Sequence, residues 1–160
     1  MKVPPYHTSP SVIGDRPFLS TDIADIVDIS FYDAIQATTI EIATAMQEKI
    51  DQDIRDGNSI HWGIADNTTG KLVGTCGYYR GLDKGEGELG CVLLPQFQGQ
   101  GFMTSAMQLA IDFGRNNIGL KRIWAATSRG NFKAISLLER LHFVKVEDLE
   151  NEEIKYEFIT

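Results

Sequence analysis

Pro95-Gln96-Phe97-Gln98-Gly99-Gln100-Gly101-Phe102-Met103-Thr104 follows an apolar, strand-like run and leads directly into a helix-like one. Gly99 and Gly101 let the main chain pass close to an anion. The first amides of the following helix have no intrahelical acceptors and can point at phosphate oxygens. The stretch therefore reads as a phosphate-binding turn made of backbone. A nucleoside-triphosphate loop would need Gly-Lys-Ser/Thr after four intervening residues, and the turn holds no lysine. A dinucleotide fingerprint would need a third glycine where Thr104 stands, and an acid where Ala125, Ala126 and Thr127 stand. A pyrophosphate-bearing ligand of another kind remains.

Reading outward, Glu88 to Leu94 is the strand that enters the turn, and Met103, Ala106, Met107, Ala110 and Phe113 recur at helical spacing after it, with Gly114 and Gly119 at the helix end. Upstream, Ile60 to Ala65 and Leu72 to Tyr79 form a hairpin across Asp66 to Gly70, and a second hairpin passes through Gly81 to Gly87. Ser11 to Leu19 reads as a first strand. Helical segments follow, from a cap at Ser20-Thr21-Asp22 and over Ile40 to Ile54, with a hinge between them. Downstream come a strand at Arg122 to Thr127, a helix at Asn131 to Leu141, and antiparallel strands at Phe143 to Leu149 and Ile154 to Ile159. A final strand of this kind is expected at a sheet edge, a position compatible with a homodimer.

The 160 residues suit one domain, 1–160, in which 1–10 is an irregular arm holding three of the five prolines. No apolar stretch is long enough to span a bilayer, and Met1-Lys2 leads into Pro4-Pro5 and His7 with no apolar centre, so a cytoplasmic address without a leader is expected. Cys76 and Cys91 lie in strand-like apolar surroundings and read as small buried hydrophobes. His7, His61 and His142 are scattered without metal-ligand spacing, so no metal is expected. A formal charge of −7 argues against non-specific nucleic-acid binding and favours a cationic partner.

The element order, with Gln98-x-x-Gly101 opening the central helix, Gly87-Glu88-Leu89-Gly90 on the strand before it, and Asn131 followed by Ser136 to Phe143, resembles the GNAT superfamily of acyl-CoA-dependent N-acetyltransferases. Within it the likeness is to the branch of ribosomal-protein N-terminal acetyltransferases. The resemblance implies a mixed α+β fold: a mostly antiparallel sheet of about seven strands flanked by about four helices. It implies acetyl-CoA as co-substrate, with Cys91, Val92 and Leu93 offering main-chain groups to the pantetheine arm. Gln98, Gly99, Gln100, Gly101, Phe102, Met103 and Thr104 would hold the pyrophosphate. Asn131 would bond the cofactor, or cap its helix, and Arg129 and Lys133 beside it are candidates for the ribose phosphate.

The implied reaction is direct attack of a primary amine, a protein N-terminus or a small molecule, on the thioester. The Leu93 amide is the candidate donor to the developing oxyanion. The amine arrives protonated, because an α-amino group titrates near about 8 and lysine near about 10.4, and Glu88 is the candidate base. Many family members carry a tyrosine seven residues after the asparagine to protonate the leaving thiolate, and here Leu138 stands there. Ser136 is a nearby hydroxyl, about 140° around the helix from Asn131, and is a candidate contact for both catalysis and cofactor. His142 replaces a glycine usual before Phe143, where a left-handed backbone would strain it. Tyr78 and Tyr79 must face opposite ways, one into the core and one to solvent or the acceptor cleft; Trp62 and Trp124 read as core. Acceptor selectivity is expected from the first helical region and the loop at Gly81 to Glu86. A module that binds or senses acyl-CoA without catalysis and a nucleotide-dependent enzyme are the competing readings.

Overall fold

A computed structural model describes residues 12–13, 20–32, 35–66 and 68–159. Their elements are β1 (Val12–Ile13), α1 (Ser20–Asp25), β2 (Phe31–Tyr32), β3 (Ile35–Gln36), α2 (Ile40–Arg55), β4 (Ile60–Ala65), β5 (Leu72–Tyr78), β6 (Glu86–Leu93), α3 (Phe102–Phe113), β7 (Arg122–Ser128), α4 (Phe132–Arg140), β8 (Phe143–Asp148) and β9 (Glu153–Phe158). Seven strands form one sheet in the order β1-β4-β5-β6-β7-β9-β8. Every neighbouring pair is antiparallel except β6 and β7. The architecture is the mixed α+β fold expected, with four α-helices among the described residues.

Several details differ from the sequence reading. Helix α1 stops at Asp25, a 3-10 turn covers Val27–Ile29, and β2 and β3 pair as a separate small hairpin where a hinge was expected. Two-residue strands carry too little alternation to be seen in sequence. The first strand is described only at Val12 and Ile13, paired with Ile64 and Gly63; the rest of the Ser11 to Leu19 reading and the arm at 1–10 lie outside the described residues. β9, expected at an edge, lies between β7 and β8. Burial explains the order: β9 buries Ile154 and Tyr156, whereas β8 buries Phe143 alone. The tight turn between them, with Asn151 and Glu152 both at positive φ, lets the chain fold back in that order.

Helices α3 and α4 cover one face of the sheet, packing Ala110, Phe113, Leu137 and Leu138 against Trp62, Tyr78 and Leu89. Ile26 and Ile29 pack with Leu72 and Leu94 on the other side, beside a cluster that joins Ile23 to Ala43 and Met46 of α2. Tyr78 fixes α3 to the sheet. It is fully buried, and its hydroxyl donates to the Ala110 carbonyl at 2.6 Å. A Cβ on Gly114 would lie 2.4 Å from that hydroxyl, and one on Gly87 would lie 2.5 Å from the ring. α3 widens into a π-turn over Gly114–Ile118, which begins at the residue whose amide shares the Ala110 carbonyl with Tyr78.

Gly114→Ala is expected to destabilise the fold by about 1–3 kcal/mol through overpacking against a tyrosine that cannot move, read from the denaturant midpoint. His142 sits just past α4 at φ 68°. Its left-handed strain of about 1 kcal/mol should be relieved in His142→Gly, which raises the midpoint; a lower midpoint would contradict the strain.

Candidate active site

The parallel register of β6 and β7 has three rungs, Glu86↔Arg122, Gly87↔Ile123 and Glu88↔Trp124. Past Glu88 the strands part: β6 continues to Leu93 against β5, and β7 continues to Ser128 against β9. Alternation decides which groups line the fork. The Tyr79 amide donates to the Glu88 carbonyl at 3.0 Å and the Leu94 amide to the Val73 carbonyl at 2.8 Å. In an antiparallel pair these bonds fall on alternate residues, so Glu88, Gly90, Val92 and Leu94 face β5. Leu89, Cys91 and Leu93 therefore turn their amides and carbonyls toward the open fork. Val92 is in hydrogen-bonding register with Thr75, which corrects its expected main-chain role, and its side chain lines a cleft instead.

The turn after β6 takes the form its glycines require. Gly99 and Gly101 have φ of 77° and 87°, and Gly101 caps α3 with no side-chain bond to the helix start. The first helical bond across the cap runs from the Ser105 amide to the Gly101 carbonyl at 3.2 Å, so the Phe102, Met103 and Thr104 amides precede the ladder. No acidic residue stands in the first turn, and the Gln100 side chain is turned back to the Gln96 carbonyl. At the other arm of the fork Asn131 caps α4, its Oδ1 accepting from the Ala134 amide at 3.2 Å. Arg129 is engaged by Asp148 at 2.9 Å and Glu152 at 3.4 Å, so its expected phosphate role is not what its packing displays. Lys133 and Ser136 are exposed on α4, and Leu138 is buried in the core.

On the α1/α2 side of β6 lies a cleft of about 520 Å³. Ile29, Tyr32, Met46 and Ile50 roof it, and His61, Thr75, Tyr79 and Glu88 form its polar floor. The Glu88 carboxylate is 3.3 Å from the Arg80 guanidinium. Burial raises its pKa above the ordinary glutamate value, opposed by Arg80. Asp53 accepts from the Tyr32 hydroxyl at 3.0 Å. Burial lowers the His61 pKa to about 4, so its ring is neutral at pH 7. The Cys91 thiol is raised well above its ordinary value by a hydrogen bond with Cys76 and by burial, so it is protonated and is no nucleophile.

A family model for the acetyltransferase (GNAT) domain matches residues 16–144. The chain belongs to the GNAT acetyltransferase family. It is 31% identical over 109 residues to the uncharacterized N-acetyltransferase p20 of Bacillus licheniformis, a match covering 68% of this chain and 61% of that relative's length. In fold it is similar to a candidate ribosomal-protein-serine acetyltransferase of Vibrio cholerae, with a TM-score of 0.78 at 14% identity over 94% of this chain and 97% of that one. A mutant form of a spermidine N-acetyltransferase from Vibrio cholerae gives 0.71 at 17% identity, over 90% and 93%.

In this acetyltransferase domain Glu88, Cys91 and Val92 line the cleft together, whereas Leu93, Asn131, Lys133 and Ser136 do not. The first helical region does line it; of the loop after β5 only Arg80 does, not Gly81 to Glu86. Trp62 is in the core as expected, but Trp124 is half-buried with the Lys155 ammonium 4.5 Å from its ring centre. Sequence reasoning missed Arg80, His61 and the Tyr32–Asp53 pair, whose placement depends on cross-strand register.

His61 makes folding stability sensitive to acid. The unfolded ring takes up a proton near 6.5 and the folded one near 4, so stability falls as pH drops through this window and the loss is complete below it, up to roughly 3 kcal/mol. His61→Gln should flatten that part of the urea midpoint-versus-pH curve. An unchanged slope would refute the assignment.

Proposed function

We propose that the protein transfers the acetyl group of acetyl-CoA directly to a primary amine within a ternary complex. The observation that carries the reading is the fork: a strand edge whose Cys91 and Leu93 amides have no strand partner leads into a helix start with unpaired amides and no acid. An amide-bearing arm ending in a diphosphate matches both halves of that surface. The residues from Gln98 to Thr104 would hold the diphosphate, and Asn131 keeps its side-chain amide available while its oxygen caps α4. Lys133 and Ser136 are contacts farther out on α4.

Glu88 stands on the last rung before the fork, between the acceptor cleft and the thioester's place, and takes the proton from the incoming ammonium. The Leu93 amide faces the fork and is the donor for the oxyanion. The cleft suits a small amine or the first residues of a polypeptide N-terminus, and its apolar roof favours an acceptor with an apolar body. Among the described residues no helix is long and apolar enough to cross a membrane, and we place the enzyme in the cytoplasm. A homodimer would have β8 as its available sheet edge. Leu138 in the tyrosine position supports the second reading, a module that binds acyl-CoA without catalysis.

Calorimetry with acetyl-CoA, followed by a thiol-release assay over an amine panel, separates these readings. Binding with amine-dependent release is expected; binding without release supports the module, and no binding refutes both. Glu88→Gln should lower kcat by about 10²–10⁴-fold with acetyl-CoA affinity retained. Because burial raises the Glu88 pKa, wild-type kcat/KM should rise with pH through a limb above the ordinary glutamate range, and that limb should be absent in Glu88→Gln.

A further inference from the structure

We propose that Tyr79 is the proton donor to the leaving sulfur. The inference rests on the acetyl-transfer reading and supplies the group that Leu138 cannot. Leu138 is 4% exposed within the core, so no hydroxyl comes from two turns beyond Asn131. A thiol with a reference pKa near about 8.5 leaves more readily when a proton meets it.

Tyr79 ends β5 directly opposite the candidate base, its amide bonded to the Glu88 carbonyl at 3.0 Å. Its ring lies across β6 at Gly90, where a Cβ would come within 2.6 Å of a ring carbon. Gly77 is the cross-strand partner of Gly90, so the sheet surface beneath the ring is free of side chains. The His61 ring flanks it at 5.9 Å between centroids. From this bed the side chain reaches a hydrogen bond with Thr75 and lies within electrostatic reach of the Glu88 carboxylate and of the Cys91 and Cys76 thiols. The phenol is thus held over the strand whose Cys91 and Leu93 amides face the fork. The residue as a whole is 39% exposed and lines the acceptor cleft, whereas its hydroxyl end is the desolvated part.

Its chemistry is that of a donor. Burial first, and then the thiols and carboxylate, hold the phenol pKa well above 10, so it is protonated at neutral pH and meets the charge building on the sulfur as a hydrogen-bond donor, its proton passing over as the nitrogen's second proton replaces it. Of the other cleft groups, the Tyr32 hydroxyl donates to Asp53, the Cys91 thiol is hydrogen-bonded with Cys76, and neutral His61 resists protonation down to about pH 4. In the step, Glu88 has already taken one proton from the ammonium. The nitrogen–carbon bond forms, the carbon–sulfur bond breaks, and the sulfur leaves with the bonding pair and takes the phenolic proton. The second proton shed by the nitrogen restores the phenol, and Glu88 returns the first to solvent.

Tyr79→Phe keeps the ring over Gly90 and removes only the hydroxyl. We expect an unchanged unfolding midpoint, acetyl-CoA affinity by calorimetry within about twofold, and kcat lower by about 10²–10⁴-fold. The loss should shrink with an acetyl thioester of a more acidic aryl thiol, whose departure needs less protonation. An ultraviolet difference titration, wild type minus Tyr79→Phe, should show a phenol ionising well above the free-tyrosine value of about 10. Turnover near wild type in Tyr79→Phe, an equal loss with both donors, or a phenol titrating normally overturns the proposal while wild-type acetyl transfer leaves the proposed function standing. Absence of acetyl-CoA binding in the wild type overturns both.

Discussion

Beyond the rung that joins Glu88 to Trp124, β6 and β7 stop pairing, and the rest of the site depends on that parting. Backbone donors and acceptors without partners are costly unless water or a ligand meets them, so such an edge persists only where the strands are held on their other sides. Both are: β6 keeps β5 as far as Leu93, and β7 keeps β9 as far as Ser128. The closed end of the fork is stitched by Arg122, which pairs with Glu157 through two nitrogens at 2.9 and 2.8 Å and reaches Glu86 at 3.4 Å. One guanidinium thereby ties β6, β7 and β9 at the first rung. Its worth in stability is small at an exposed site; its geometric effect is to fix where the strands begin to diverge.

The anionic coenzyme proposed above and a chain of formal charge −7 are compatible because the fields that matter are local. Beyond a Debye length of about 10 Å at ordinary salt, exposed charges are largely screened. The start of α3 carries no acid, and Asp148 and Glu152 are matched to Arg129, which precedes α4, and to Lys145. Oriented amides then supply the positive end without a lysine in the turn.

Much of the frame was legible in the sequence because long elements carry strong periods. α2, β4 and the core of α3 fall where the apolar spacing puts them, and the glycines of the turn occupy the positive-φ positions that their presence implies. His142 likewise carries the left-handed backbone that its place before Phe143 suggested. What stayed hidden was pairwise. β2 and β3 are too short to show alternation, β9's inward place follows from relative burial of two similar strands, and Arg129's partners come from the β8–β9 turn. Within the site, Glu88 could be nominated from its strand, but that it stands at the last rung is a property of β7, 36 residues away by the Glu88↔Trp124 register.

The adjacent tyrosines show what additional information was needed. A strand's period of two says only that Tyr78 and Tyr79 differ in direction; it does not say which is inside. The choice is made by glycines distant in sequence, each the negative image of one ring. Gly87 and Gly114 clear the space that Tyr78 fills on the α3 side, and Gly90 clears the surface on which Tyr79 rests on the cleft side. Gly87 and Gly90 are three residues apart on one strand and therefore open opposite faces, as two neighbouring aromatic residues on the next strand require. Tyr78 spends its hydroxyl on the Ala110 carbonyl and so fixes the helix whose first turn carries the free amides. Tyr79, on the reverse face, lines the cleft together with Glu88. A single dipeptide thus links the position of α3 to the position of the cleft floor, and exchanging the glycine pattern beneath either ring would move both.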